Sequence, residues 1–168
     1  MGERTRTVVW EDPQASKRDP AAASGLDYLQ AVRDGRIPLA PAARLIGYRI
    51  REVEPGRSLF ELEAQECHYN PFATVHGGIL GTLLDAAMAA AVLATLPVGV
   101  ACATLEMKVN FVRPVTEGAG PVRCEGKLLH RGANVATADG KILDAQGKLC
   151  AHGVATFSIF SAKPPASG

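Results

Sequence analysis

The sequence contains few aromatic residues and no marked excess of charge of either sign. Aromatic residues make up 5% of the 168 residues, and 18 Lys and Arg against 17 Asp and Glu leave a net charge of +1. Proteins that bind nucleic acid through bulk charge need a basic face, so this balance argues against a nucleic-acid partner, although it allows a local basic spot.

The sequence also shows no pattern typical of a disulfide framework or of a signal peptide. The four cysteines, Cys67, Cys102, Cys124 and Cys150, lie far apart in the sequence and include no C-x-x-C pair. The N-terminal segment has no apolar run of the kind that precedes a cleavage site. We therefore expect reduced thiols and a cytoplasmic protein.

One apolar stretch resembles a membrane span, but its sequence contradicts that interpretation. Residues 79–105 carry a single charge, Asp85, and a spanning helix needs roughly 20 apolar residues. A charge inside lipid is costly, and Pro97 and Gly99 interrupt the stretch. These features predict a buried helix followed by a strand, with no membrane association.

Small residues are abundant. The chain has 27 alanines and 17 glycines, which together exceed a quarter of its length. Many of them lie in residues 77–94, where the spacing of apolar residues and the good helix formers predict one long helix. Because such a helix is thin and apolar on nearly all sides, we expect a sheet to wrap closely around it.

The remaining pattern predicts an α+β domain with an antiparallel sheet. Two short helices and a hairpin precede the long helix, and four strands follow it. We expect an N-terminal arm over residues 1–20, a single domain over 21–160 and a flexible tail over 161–168. The expected strands are 48–54, 57–66, 101–113, 120–130, 134–144 and 148–160.

A candidate carbonyl-binding turn lies where the long helix begins. The polar loop that starts at Asn70 runs into His76-Gly77-Gly78. Glycine lets a ligand approach the main chain, and free N–H groups at a helix start bind anions or carbonyl oxygens. An ordinary helix-initiating turn, with glycine present for packing, would explain the same residues.

Two polar residues further along could complete a site. Asp85 is the only charge in the apolar helix, and a buried carboxylate is costly unless it is hydrogen-bonded. The alternative is a carboxylate on a solvent-facing edge. Thr104, at the start of the next strand, could orient a water molecule or could be a routine strand threonine.

The spacing of these residues predicts a shared site. Gly77 and Asp85 are separated by about 12 Å along a helix axis. A carbonyl held at Gly77 therefore cannot be attacked by Asp85 of the same chain. If both act on one substrate, Asp85 comes from a second subunit, which predicts a homodimer with two sites at its interface.

These residues resemble the signature of hot-dog-fold acyl-CoA thioesterases of the phenylacetate-pathway, PaaI-like, branch of the 4-hydroxybenzoyl-CoA thioesterase superfamily. The signature consists of Asn, a Gly three residues before His, His-Gly-Gly, and an Asp nine residues after the His. Asn70, His76 and Asp85 fill these places, whereas Ala73 occupies the usual Gly position. The strand Asn110-Phe111-Val112-Arg113-Pro114 is also similar to that branch.

The resemblance implies a curved sheet around a central helix and a role for each residue of the signature. The Gly77 N–H would polarise the thioester carbonyl, and Asn70 would lie near the carbonyl or the attacking water. Asp85 of the partner subunit would act as general base or nucleophile. Thr104 would position the water, and His76 would shape the turn.

The resemblance also implies the substrate contacts. Coenzyme A is part of the substrate, so no separate cofactor is implied, and the histidines show no clustering that would imply a metal. The acyl pocket should be apolar. The phosphates of coenzyme A should meet basic side chains, for which Arg113 and Arg131 are the candidates, although both arginines could equally be solvated surface charges. The candidate substrate-binding residues are Gly78, Phe72, Leu80, Leu84, Arg113 and Arg131.

Three functions fit this fold. The first is hydrolysis of acyl-CoA, and the second is a non-enzymatic module that binds acyl-CoA or an acyl carrier. Asp85 beside the His-Gly-Gly turn favours the enzyme, because a binding module has no need for a costly carboxylate. The third, a dehydratase, uses histidine as catalytic base in a different arrangement. The acyl group, and the choice between dimer and tetramer, stay open.

Overall fold

A computed structural model describes residues 2–162 of the chain. Residues 163–168, and with them most of the predicted C-terminal tail, lie outside the described part. The helices are α1 (Pro13–Ser16), α2 (Gly25–Arg33), α3 (Pro41–Ile46) and α4 (Gly77–Leu93). The strands are β1 (Tyr48–Glu54), β2 (Arg57–Glu63), β3 (Val100–Phe111), β4 (Pro121–Arg131), β5 (Val135–Leu143) and β6 (Leu149–Ser161).

The six strands form one antiparallel sheet in the order β1-β2-β4-β5-β6-β3. Helix α4 contacts every one of these strands. A single helix reaches all six strands only if the sheet curves around it. The predicted α+β fold, with a sheet wrapped around one long helix, is therefore confirmed.

Local sequence signals explain where the shorter elements begin and end. Ser24 caps α2, since its Oγ accepts a hydrogen bond from the Asp27 N–H and donates one to the Asp27 carboxylate. Gly35 follows α2 with φ +75°, and Gly56 forms the β1–β2 turn with φ +81°. The four-residue helix α1, within the arm, was not predicted.

Small residues allow the close packing between α4 and the sheet. A side chain at Gly126 of β4 would collide with the Ala87 carbonyl of α4, and a Cβ at Gly140 of β5 would lie 3.0 Å from Leu84 and Met88. Ser58 of β2 also donates a hydrogen bond of 2.7 Å to the Ala87 carbonyl. The expected close approach of backbones is thus located between α4 and the sheet strands β2, β4 and β5.

Strand β3 forms one edge of the sheet and carries exposed apolar side chains. Leu105 is 62% exposed, Phe111 is 54% exposed, and Val112, just beyond the strand, is 55% exposed. An unpaired edge with apolar side chains is the type of surface that another chain can cover. Among residues 2–162, no helix is long and apolar enough to cross a membrane.

Candidate active site

The turn that starts α4 leaves one backbone donor free. The His76 N–H donates to the His68 carbonyl at 2.8 Å, and His76 Nδ1 accepts from the Gly78 N–H at 2.9 Å. No acceptor for the Gly77 N–H occurs among residues 2–162. The donor therefore stands free at the positive end of the α4 dipole, where it could bind a carbonyl oxygen.

The loop before this turn is held by Asn70. Its Oδ1 accepts hydrogen bonds from the Phe72 N–H at 2.9 Å and from the Thr74 hydroxyl at 3.3 Å. Its Nδ2 has no acceptor in the described part of the chain, so this amide group could reach a substrate. Ala73, within the loop, has φ +56°, a left-handed conformation that glycine adopts more readily. The unusual residue of the signature thus occupies a position where glycine is physically favoured.

Asp85 lies about two turns further along α4 and is hydrogen-bonded to Thr104. The Thr104 hydroxyl donates to Asp85 Oδ1 at 2.8 Å, and no other hydrogen bond to the Asp85 carboxylate occurs within residues 2–162. The expected buried carboxylate is half-buried in the single chain, because this face of α4 opens onto a groove instead of the sheet. The second carboxylate oxygen can therefore meet a water molecule or a substrate.

Two grooves meet at the start of α4. The first, about 350 Å³, contains Asn70 and Arg113 and is called the Asn70 groove. The second, about 660 Å³, contains Asp85 and Thr104 and is called the Asp85 groove. Gly77 lines both grooves, and so does Phe111. The remaining residues of the Asp85 groove are His76, Gly78, Gly81, Thr82, Met107 and Val109.

Sequence reasoning missed the apolar wall of the Asp85 groove. Met107, Val109 and Phe111 alternate along β3 and face the groove together with Thr104. The register shifts between Thr104 and Glu106, so one extra residue changes which side chains share a face. Simple alternation from Thr104 would have pointed to Glu106 instead of Met107.

Some of the predicted site residues lie elsewhere. Leu84 is fully buried and packs at Gly140, because it lies on the face of α4 that meets the sheet, so the prediction that it lines the acyl pocket is not supported. Arg131 donates to the Thr95 carbonyl at 2.9 Å, beyond the C-terminal end of α4, and lines neither groove. Phe72, 85% exposed at the loop tip, also lines neither groove.

The groups near Asp85 are not competing nucleophiles. Burial raises the pKa of the Cys102 thiol to about 11, and the Asp85 charge contributes to the shift. Burial also raises the pKa of the Tyr48 hydroxyl, again with a contribution from Asp85. Both groups are protonated near neutral pH, so the ionisable side chains that line the Asp85 groove are Asp85 and His76.

Comparison with known proteins gives consistent matches. A family model described as the thioesterase superfamily matches residues 72–151. An inferred thioesterase of Ralstonia eutropha JMP134, described as phenylacetic acid degradation-related, is 34% identical with a TM-score of 0.71, and the match covers 78% of this chain and 98% of that one. An inferred esterase of Saccharolobus solfataricus is 29% identical over 120 residues, which are 71% of this chain and 84% of that protein.

A more distant solved structure shares the fold. A hypothetical thioesterase protein of Streptococcus pneumoniae TIGR4, solved with coenzyme A, is 19% identical with a TM-score of 0.62. The match covers 68% of this chain and 88% of that one.

The fold, together with these matches, identifies a hot-dog-fold thioester hydrolase. The chain belongs to the thioesterase superfamily, in its PaaI-like branch.

Proposed function

We propose that this protein hydrolyses an acyl-CoA thioester to a free carboxylic acid and coenzyme A, at two sites shared between the subunits of a homodimer. One observation carries the proposal: the Gly77 N–H, which is free to bind a carbonyl, and the Asp85 carboxylate, which accepts a hydrogen bond from Thr104 of β3, are separated by about 12 Å along α4. We infer that each group forms one half of a site and that a second copy of the chain supplies the other half.

The exposed edge of the sheet supports this assembly. Strand β3 carries Thr104 and ends at Phe111, which packs against Gly77, so β3 contributes to both halves. A partner that covers β3 would bury its exposed apolar side chains and bring its own Asp85 towards Gly77. The neighbour from Streptococcus pneumoniae was solved with coenzyme A, which supports coenzyme A as the thiol part of the substrate.

The chemistry follows from the two halves. The thioester carbonyl accepts a hydrogen bond from the Gly77 N–H, which stabilises the negative charge that develops on oxygen. As base, the partner's Asp85 takes a proton from water while the water oxygen attacks the carbonyl carbon. The tetrahedral intermediate then collapses, the C–S bond breaks, and the proton passes to the sulfur of coenzyme A.

The nucleophile route uses the same atoms. Asp85 attacks the carbonyl carbon, the C–S bond breaks, and coenzyme A leaves as a thiolate that takes a proton from solvent. Water then hydrolyses the acyl–aspartate anhydride, which releases the carboxylic acid and restores the Asp85 carboxylate. In both routes Thr104 fixes one carboxylate oxygen and leaves the other to react. Arg113, in the Asn70 groove, is positioned to meet a phosphate of coenzyme A.

Activity is tested by following thiol release from phenylacetyl-, benzoyl-, short-chain and medium-chain acyl-CoA. We expect Asp85→Asn to lower kcat by about 10²- to 10⁴-fold. Asp139→Asn, on the outer face of the sheet, is the matched control and should retain wild-type kcat. Absence of turnover with every acyl-CoA would refute the proposed substrate class, and wild-type kcat in Asp85→Asn would refute the mechanism.

The shared site is tested by mixing two inactive variants. Gly77→Pro removes the backbone N–H at the start of α4. Proline is favoured at the first position of a helix, and the preceding residue, His76, has the extended φ of −59° and ψ of 135° that proline requires before it. Random dimers of Gly77→Pro with Asp85→Asn should recover about a quarter of wild-type activity, because each mixed dimer contains one intact site. No recovery in verified mixed dimers would contradict the shared site.

A further inference from the structure

The N-terminal arm, residues 2–20, contacts the segment that leads into the carbonyl-binding turn. The arm lies outside residues 72–151, which match the family model. It is anchored at several places, one of which is the 3₁₀ turn Glu66–His68 just before the Asn70 loop.

Arg6 contacts two residues of this turn through its side chain. Its Nη1 donates to Cys67 Sγ at 3.0 Å and lies 3.3 Å from His68 Nε2. A Cβ on Gly47 would lie 3.4 Å from Arg6 Nη2, so the guanidinium fills the space between the 3₁₀ turn and the junction of α3 with β1. The guanidinium presents one nitrogen to the 3₁₀ turn and another towards Gly47, whereas a lysine ammonium has a single nitrogen.

Arg4 contributes less to this contact. It pairs with Glu66 at 3.1 Å, but the two side chains are 79% and 58% exposed. Exposed ion pairs of this kind contribute little to stability. Arg6 is also exposed, but it contacts two residues of the turn, and one of them, His68, is buried.

A short series of contacts leads from Arg6 to the first turn of α4, beside Gly77. His68 is 4% exposed, and its Nδ1 accepts from the Gln65 N–H at 3.2 Å. The His68 carbonyl accepts from the His76 N–H at 2.8 Å, and His76 Nδ1 in turn caps the Gly78 N–H. Arg6 thus contacts His68, and the His68 carbonyl holds His76. The His76 side chain in turn caps the first turn of α4.

We propose that Arg6 is a positioning residue for thioester hydrolysis: it fixes the Glu66–His68 turn and thereby the direction of the Gly77 N–H. The proposal rests on the proposed function. Arg6 has no part in the chemistry itself, so its loss should affect the rate of the chemical step more than the binding of substrate. A phosphate contact from Arg6 would have the opposite effect, on KM.

The test compares Arg6→Ala with Arg44→Ala, a matched arginine that contacts the arm through Glu11 and lies away from the turn. We expect Arg6→Ala to lower kcat by about fivefold or more with KM within about twofold, because small misplacements of a transition-state donor are costly. Arg44→Ala should keep kcat within about twofold. Arg6→Lys should give an intermediate kcat, and it replaces Arg6→Ala if the alanine variant does not fold.

Amide hydrogen exchange provides a readout that does not depend on turnover. The His76 and Gly78 amides should exchange faster in Arg6→Ala than in wild type, and their exchange rates should be unchanged in Arg44→Ala. If wild type hydrolyses no thioester, the proposed function fails, and the exchange data still decide whether Arg6 holds the turn. The positioning role is overturned by an unchanged kcat, by a raised KM at constant kcat, by equal losses in Arg44→Ala, or by unchanged exchange.

Discussion

Ala73→Gly should stabilise the protein, because Ala73 adopts a left-handed backbone conformation. Its φ is +56°, and its side chain is exposed, so removal of the methyl group uncovers little buried surface. An L-residue in this conformation costs about 1–2 kcal/mol relative to the right-handed one. Glycine also increases the conformational entropy of the unfolded chain, and this effect offsets about 0.4–1 kcal/mol of the stabilisation. The free energy of unfolding should therefore rise by about 0.5–1 kcal/mol.

The measurement is denaturant unfolding of both proteins at one fixed protein concentration, since dissociation of an oligomer makes stability depend on concentration. The corresponding rise in Tm is about 2–4 °C per kcal/mol for a chain of this size. Ala42→Gly is the matched control. Ala42 is an exposed residue of α3, where glycine should lower stability by about 0.5–1 kcal/mol. Loss of stability in Ala73→Gly, as in the control, would refute the argument.

Two further changes test the packing and the buried histidine. Gly126→Ala should lower the free energy of unfolding by about 1–3 kcal/mol or more, because its Cβ would collide with the Ala87 carbonyl, whereas Gly118→Ala, with no atom within 4 Å, should stay within about 0.5 kcal/mol. Burial and the charge of Arg6 lower the pKa of His68 below its usual 6.5. Near this pH the unfolded state therefore binds more protons than the folded state. The free energy of unfolding should fall as the pH drops from 6.5 towards the lowered pKa. His68→Gln should flatten this part of a stability-against-pH curve, and an unchanged slope would contradict the argument.

Much of the fold was readable from local patterns. The alanine-rich run Gly78–Leu96 predicts α4 because its residues favour helix and its apolar side chains recur at helical spacing. Pro55-Gly56 and Gly147 mark turns because they restrict the backbone or permit positive φ, as observed at Gly56 and Gly147. Helix α1 was missed because four residues carry too little pattern for recognition.

The site was only partly predictable. The spacing of Gly77 and Asp85 on one helix predicts that the two residues do not act together within a chain, because helix geometry fixes their separation. The hydrogen bond between Thr104 and Asp85 depends on how β3 lies against α4, and the Met107 wall depends on the register shift after Thr104. Neither follows from residue order.

The sequence by itself determined the elements, the thin central helix and the separation of Gly77 from Asp85, since these follow from local preference and helix rise. The tertiary structure alone decided that the Gly77 N–H meets no acceptor within residues 2–162, that Leu84 faces the sheet, and that Arg6 reaches His68. These contacts join residues far apart in the chain. Their existence depends on how the curved sheet, the helix and the arm pack together, which no local pattern encodes.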